Sequence, residues 1–392
     1  MKILMIAPQP FYSDRGTPMN IKLLCQVLGE AGNSLDLLVF PTGRDIELKN
    51  VRIIRLPNIF RVTSIPIGPS RIKLAYDILL IAFTLFLCAT KRYDAIHGVE
   101  EGGFLAVFLS RLFGKASIFD MDSSISEQLK YSGFITNSWL LKHIHYFEGW
   151  AVRHSSVVIT VCSSLSEKAH ALAPKANVFQ IEDIPSPNIK EYDPQMVETL
   201  IRRYKLRHDR RVVYTGNLER YQGIDLLLAS WKSLMSEKRD GKSYKLLIVG
   251  GPTENVDYYK KIAENDSLAD SVCFVGPRPL TEMGAWMALS DVLVSPRSEG
   301  DNTPLKIYSY MVSGRPLVAT RRKTHTQVLD DSTAFLAEPD PIQFGKAIYD
   351  CLNNHQLAKK KSNTAKQIVD KHYSYSVFQR KLLEAYTSIV GS

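Results

Sequence analysis

Residues 297–320 read RSEGDNTPLKIYSYMVSGRPLVAT and gather polar side chains around a proline-marked helix start. Thr303 is the expected N-cap, because its hydroxyl can accept an orphan backbone N–H. Pro304 suits the first helical position, where its missing N–H costs nothing. Gly314 closes the helix, Pro316 prevents its return, and PLVAT reads as a strand. A helix start of this kind presents free N–H groups and a positive dipole end, which suits a phosphate. Lys306 stands in its first turn, where carboxylates are usual, and adds positive charge at the same place. On these residues alone, an ordinary strand–helix connection explains the pattern equally well.

Other loops carry chemistry of the same type. Gly16-Thr17-Pro18 repeats the device after the first strand, with Thr17 as cap and Pro18 at the first helical position. HGVEEGG offers His97, Glu100 and Glu101 as bases, set against a core histidine and two solvated glutamates. GxGxxG and GxxxxGK[ST] are both absent, which argues against a nicotinamide dinucleotide site and a P-loop.

These loops need a frame. The 392 residues exceed one ordinary domain, and 45% hydrophobic with 23% charged residues describes a globular chain with real cores. A formal net charge of +9 favours an anionic partner without choosing among nucleotide, nucleic acid and membrane. Five scattered cysteines with no CxxC pair suggest neither zinc nor a disulfide framework, and they suit a reducing compartment. MKILMIAPQP reads as a first strand rather than an export signal. The apolar stretch 74–90 contains Asp77 and is shorter than the roughly 20 residues of a spanning helix. It reads as a buried helix, or, given Arg71, Lys73, Lys91 and Arg92 beside it, as one lying against a membrane surface. Strand-like runs alternate with helical ones along the whole chain, and a proline- and charge-rich linker interrupts them at 182–195. The expected fold class is α/β, two doubly wound Rossmann-like domains with a deep cleft between them. Ligands of such sheets bind beyond the carboxyl ends of the strands, where every loop named above lies.

In order and spacing, MKILMIAP, VVYTGNLERYQGIDLLLASW, LLIVGGP, VCFVG and DVLVSPRSEGDNTPLKIYSYMVSGRPLVAT resemble the retaining GT-B glycosyltransferases of family four, the glycosyl transferases group 1. The resemblance covers nearly the whole chain. It implies an acceptor-binding domain over 1–188 and a nucleotide-sugar-binding domain over 189–374. A C-terminal helix over 375–392 is expected to pack back on the first domain. Glu299 matches a glutamate that contacts the donor sugar, and Thr303, Pro304 and Leu305 match the helix start that holds the diphosphate. Gly16, Gly216, Asp301 and Asn302 fall in the donor-binding loops.

This chain departs from the family pattern in two places. Ser309 replaces a second glutamate that grips the ribose. Asn217 and Gln222 replace an arginine and a lysine that stabilise the leaving diphosphate. Charge developing on a leaving nucleotide needs compensation, so Arg220, Lys306 and Arg278 are the expected substitutes. Where many relatives carry a histidine after a strand of the first domain, this chain has FDMDSS, which makes Asp122 or Asp120 the candidate. Asp-x-Asp also suits Mg²⁺, but it occurs often by chance in turns, and a metal-free reaction without a cofactor is expected. The implied activity is sugar transfer from a nucleoside-diphosphate sugar to a glycan or lipid-linked acceptor of the cell envelope, with retention of configuration. The expected setting is cytoplasmic, at most peripheral on the inner membrane face, with no nucleic acid partner. An inactive binding protein on the same fold, or a nucleotide-sugar epimerase, are the alternatives.

Overall fold

Two sets of apolar runs become two parallel sheets in a computed structural model of the chain. It describes residues 1–14, 16–65, 70–125, 137–186, 189, 191–237 and 241–389. Arg15 of the first loop and residues 187, 188 and 190 of the linker lie outside the described residues. The chain divides into two compact units, Met1–Glu182 with Phe378–Ser392, and Asp183–Val377.

The first unit holds β1 (Lys2–Ala7), β2 (Ser34–Val39), β3 (Val51–Arg55), β4 (Ala95–Val99), β5 (Ala116–Met121), β6 (Val157–Thr160) and β7 (Val178–Gln180). They form one seven-stranded sheet in the order β3-β2-β1-β4-β5-β6-β7. Chain order reverses between β1 and β4, which pair in parallel with Met5 opposite His97. Helix α1 (Gly16–Glu30) begins two residues before the expected first helical residue Pro18, so Thr17 lies inside the helix instead of capping it, a shift within the range helix ends commonly show.

The second unit holds β8 (Asp209–Thr215), β9 (Ser243–Val249), β10 (Val272–Gly276), β11 (Val292–Ser295), β12 (Leu317–Thr320) and β13 (Phe335–Ala337). Its six-stranded sheet has the order β10-β9-β8-β11-β12-β13, with the reversal between β8 and β11. Near-continuous apolar strands follow from helices on both faces. Val212 and Tyr214 of β8 join Leu246 and Ile248 of β9 in a core with Trp231 and Phe344. Val213, Leu247 and Val249 point the other way, into a core with Trp286, Ile307 and Met311.

Two elements bear on function. Helix α2 (Arg71–Thr90), capped by the Ser70 hydroxyl, covers the apolar stretch. It is not the buried helix expected of so apolar a sequence. Only Tyr76, Leu80, Thr84 and Leu87, one stripe at helical spacing, are buried. The helix Tyr375–Thr387 inserts Phe378, Leu382, Ala385 and Tyr386 into the first unit.

Candidate functional site

In the second unit the carboxyl ends of β8 and β11 lie side by side where the strand order reverses, the place such sheets reserve for ligands. The loops that follow, 216–223 and 296–304, approach backbone to backbone. A Cβ at Gly223 would meet the Pro296 carbonyl oxygen at 2.1 Å, and its φ of +74° already excludes most side chains. The Ser298 amide donates to the Tyr221 carbonyl at 3.3 Å across the same junction.

The helix Leu305–Val312 rises from this junction with Pro304 at its N-cap and no side-chain cap. The expected cap, Thr303, is one residue too early. Its hydroxyl instead accepts from Gln327 Nε2 at 3.4 Å, so the first backbone N–H groups of the helix are not closed by a threonine. The loop before the helix is held from several sides. Gln327 Nε2 donates to the Asp301 carbonyl at 2.7 Å, and Thr324 Oγ1 donates to the Asn302 carbonyl at 2.6 Å. Buried Arg297 spans the loop, with Nε donating to the Glu299 carbonyl and Nη2 to Asn302 Oδ1, both at 2.8 Å. Its guanidinium lies 5.1 Å over the Tyr221 ring. Glu299 itself is exposed, and its carboxylate has no hydrogen bond or ion pair among the described residues.

Lys306 turns back from the first helical turn toward β8. Its Nζ donates to Gln222 Oε1 at 2.9 Å and sits 4.0 Å over the Tyr214 ring. Gly216 leaves room for it, since a Cβ there would lie 2.8 Å from Nζ. Burial, with Arg297 repelling it, pushes the Lys306 ammonium well below its usual pKa. Gln222, which stands where the resemblance calls for a lysine, therefore receives an ammonium from the neighbouring helix. Tyr214 donates to the Asn217 carbonyl at 2.6 Å, and Asn217 Nδ2 donates to Tyr221 at 3.3 Å. Asn217 Oδ1 is buried without a partner.

Below the loop, His325 ties β11 to β12. The Thr320 carbonyl, 3.0 Å away, can only accept, so Nδ1 carries the proton and Nε2 accepts from Ser295 Oγ at 2.8 Å. Burial lowers its pKa to about 3, while the Thr320 hydrogen bond opposes the shift. Ser309 is buried in the helix one turn on. Next to it, the Tyr310 hydroxyl accepts from the Thr215 amide at 2.8 Å and anchors the helix to the end of β8.

The remaining expected cations stand apart. Arg220 belongs to a single 3-10 turn, Arg220–Gln222, and is exposed. Arg278 follows β10, two strands from β8, where Nη2 donates to the Tyr204 hydroxyl at 3.1 Å and Nε is buried without a partner.

In the first unit Gly16 opens α1 with free space around it, and α1 supplies Asn20, whose Nδ2 donates to Asp122 Oδ1 at 3.3 Å. Asp120 instead faces His97, with Oδ2 lying 3.3 Å from Nε2. The two carboxylates of Asp-x-Asp thus have different partners. His97 is fully buried, and its Nδ1 lies 2.6 Å from the Tyr386 hydroxyl, so neither ring nitrogen is presented to a substrate. Glu100 has a left-handed φ of 51° and accepts from Ser123 Oγ at 3.3 Å. Burial, reinforced by Glu101, raises its pKa to about 7. Glu101 pairs with Lys73 on α2. Glu148 accepts from Ser124 Oγ at 3.1 Å and the Ile125 amide at 2.9 Å, a structural tie under the loop after β5.

Arg297, His325 and Asn20 escaped the sequence reading, and Gln222 entered it only as a replaced lysine. The first stands directly beyond the β11 strand and was open to notice, but its burial and grip on the loop are tertiary facts.

Residues 209–354 match the family model described as Glycosyl transferases group 1. This stretch, which lies wholly within the second unit, is similar to the group 1 glycosyltransferases. The match runs from β8 through the helix Pro341–Asn353 and includes both loops of the site. Over 152 residues the chain is 26% identical to a D-inositol 3-phosphate glycosyltransferase of Corynebacterium diphtheriae, covering 38% of this chain and 35% of that protein. The chain thus aligns with only about a third of that relative's length. Sucrose-phosphate synthase from Thermosynechococcus elongatus has a similar structure, with a TM-score of 0.78 at 19% identity over 100% of this chain and 99% of that one. Anabaena HepE, solved in complex with UDP, has a TM-score of 0.76 at 16% identity, over 99% and 100%. At these identities the likeness establishes the fold, which is GT-B.

Proposed function

We propose that the protein transfers a sugar from a nucleoside-diphosphate sugar to a glycan or lipid-linked acceptor, with retention of anomeric configuration. The observation that carries this reading is the meeting of the Lys306 ammonium, the Arg297 guanidinium and an uncapped helix start at the carboxyl ends of β8 and β11. In the reaction the bond from the anomeric carbon to the β-phosphate oxygen breaks, and a bond to the acceptor oxygen forms. The acceptor loses a proton and the nucleoside diphosphate departs with the negative charge.

Fixed dipoles and cations aimed at that charge lower the barrier. The Leu305 and Lys306 backbone N–H groups and the Lys306 ammonium are the proposed diphosphate ligands. Exposed Arg220 is within the same loop system as a further cation. Glu299 is the proposed partner of the sugar hydroxyls, Asn302 shapes the loop, and Ser309 is the proposed ribose contact, one hydroxyl in place of a carboxylate. In this reading charge compensation comes from the protein, and no metal is required. Glu100, with a pKa raised to about 7, is the proposed acceptor-side base, and Asp122, held by Asn20, is a second candidate on the same unit. The UDP bound by HepE makes a uridine donor the first to test. The five free cysteines suit the cytoplasm.

A thermal-shift series with UDP, GDP, ADP and their glucose conjugates tests the reading. One nucleoside diphosphate at 100 times its Kd is expected to stabilise the protein by about 2.7 kcal/mol, and the Lys306→Ala variant is expected to lose the effect. No stabilisation by any of them would sink it. Binding with no turnover on any acceptor would favour the inactive binding protein, the reading that Ser309 in the glutamate position supports.

A further inference from the structure

Helix α2 has two unlike faces. Tyr76, Leu80, Thr84 and Leu87 are buried, whereas Leu74, Ile78, Ile81, Leu85 and Phe86 are exposed at spacings that fall on the opposite side. Leu74 is 62% exposed, Ile78 64% and Phe86 62%. The helix has a mean hydropathy of 2.0 over an 18-residue window that is only 28% buried, so these apolar groups stand in water. Helix α3 (Gly102–Phe113) lies on the same side of the sheet, since its Ala106 and Leu109 share a core with Tyr76, Leu80 and Leu87. It exposes Phe108 and Leu112. The apolar area is thus a two-helix surface, well beyond the scattered hydrophobics of an ordinary exterior.

Charge frames this surface. The segments 71–92 and 102–115 carry six bases, Arg71, Lys73, Lys91, Arg92, Arg111 and Lys115, against one acid, Asp77. Lys73 and Lys91 are held by Glu101 and Asp36. Arg71, Arg92, Arg111 and Lys115 are exposed and have no ion pair among the described residues. Arg92 and Lys115 line one hollow with Phe113 where α2 ends. An apolar face with unpaired bases at its edge matches the boundary of an anionic bilayer, where acyl chains and negative headgroups lie within a few ångströms of each other.

We propose that α2 and α3 form a docking face that seats the protein on an anionic lipid surface, with both helices lying in the interface plane. Crossing the bilayer would require α2 to give up the core stripe that holds it to the sheet. A second copy of the chain would set like charges against like across a two-fold interface. The proposal does not depend on the donor reading, because vesicle binding is measured without catalysis.

Flotation of the full chain tests it, using vesicles of phosphatidylcholine alone and vesicles with about a third phosphatidylglycerol. Association with the anionic vesicles at low salt is expected, at least about tenfold weaker with neutral vesicles or at high salt. The Ile78→Glu/Phe86→Glu double variant should lose association, and so should the Arg92→Glu/Arg111→Glu/Lys115→Glu triple variant. Both should keep the melting temperature and the nucleotide-induced thermal shift of the parent. Absence of flotation at low salt by the folded parent overturns the proposal, and so does flotation that survives both variants. A concentration-dependent dimer that Ile78→Glu dissolves would assign the face to a second copy instead.

Discussion

Lys306 illustrates at the scale of one residue how the proposed donor site is held in readiness at a cost to the fold. Its ammonium is drawn over the Tyr214 ring onto Gln222, in surroundings that disfavour its charge. Its folded pKa lies below the unfolded value of 10.5, so the unfolded chain binds the additional proton between the two values. The site therefore weakens the fold as pH falls from 10.5 toward the folded value. Lys306→Met should raise the melting temperature of the free protein by about 2–5 °C at pH 7 while lowering turnover by about 10²-fold or more. Differential scanning fluorimetry and an initial-rate assay read the two effects. A diphosphate beside Nζ favours the charged form, so nucleotide binding should raise the Lys306 pKa again. Calorimetry over a pH series in two buffers of different ionisation enthalpy would show this as a buffer-dependent heat, and identical heats at every pH would count against it.

At the scale of elements, the loop over β11 owes its shape to what lies beneath it. His325 stays neutral in the fold down to about pH 3, whereas the unfolded chain protonates it near 6.5. Stability from this site is present above 6.5 and is lost as pH falls through that window. Asp77 and Glu100, both raised to about 7, act with the opposite sign, because the folded chain binds their protons first. His325→Asn keeps a donor for Thr320 but removes the titration. The fall in melting temperature from pH 7 to pH 4.5 should then shrink relative to the parent. The junction of the two loops is equally exacting. Gly223→Ala places a methyl on the Pro296 carbonyl at a positive φ and should cost about 2 kcal/mol or more, read as a lower urea midpoint.

On the scale of the whole molecule, the end of the chain completes its beginning. The helix Tyr375–Thr387 brings the Tyr386 hydroxyl to His97 on β4, with Asp120 on the other ring nitrogen. Tyr386→Phe keeps the ring packing but leaves His97 Nδ1 buried and unpaired, a loss of about 1–3 kcal/mol in chemical denaturation. Phe378 and Leu382 should resist substitution for the simpler reason that they fill the core.

Strand–helix alternation, the caps and breakers around residues 303–316, and the apolar runs were readable from the chain, because period and turn chemistry are local properties. They were enough to place the candidate loops at the carboxyl ends of parallel strands. Other features depended on positions brought together from far apart. Gln222 and Lys306 are 84 residues apart, so no spacing rule could show that the glutamine in the lysine position receives an ammonium from the next helix. Composition made α2 look like a buried helix, since hydropathy counts apolar groups without saying which face meets the sheet. Only packing against β-strands and α3 decided that half of them would be left in water.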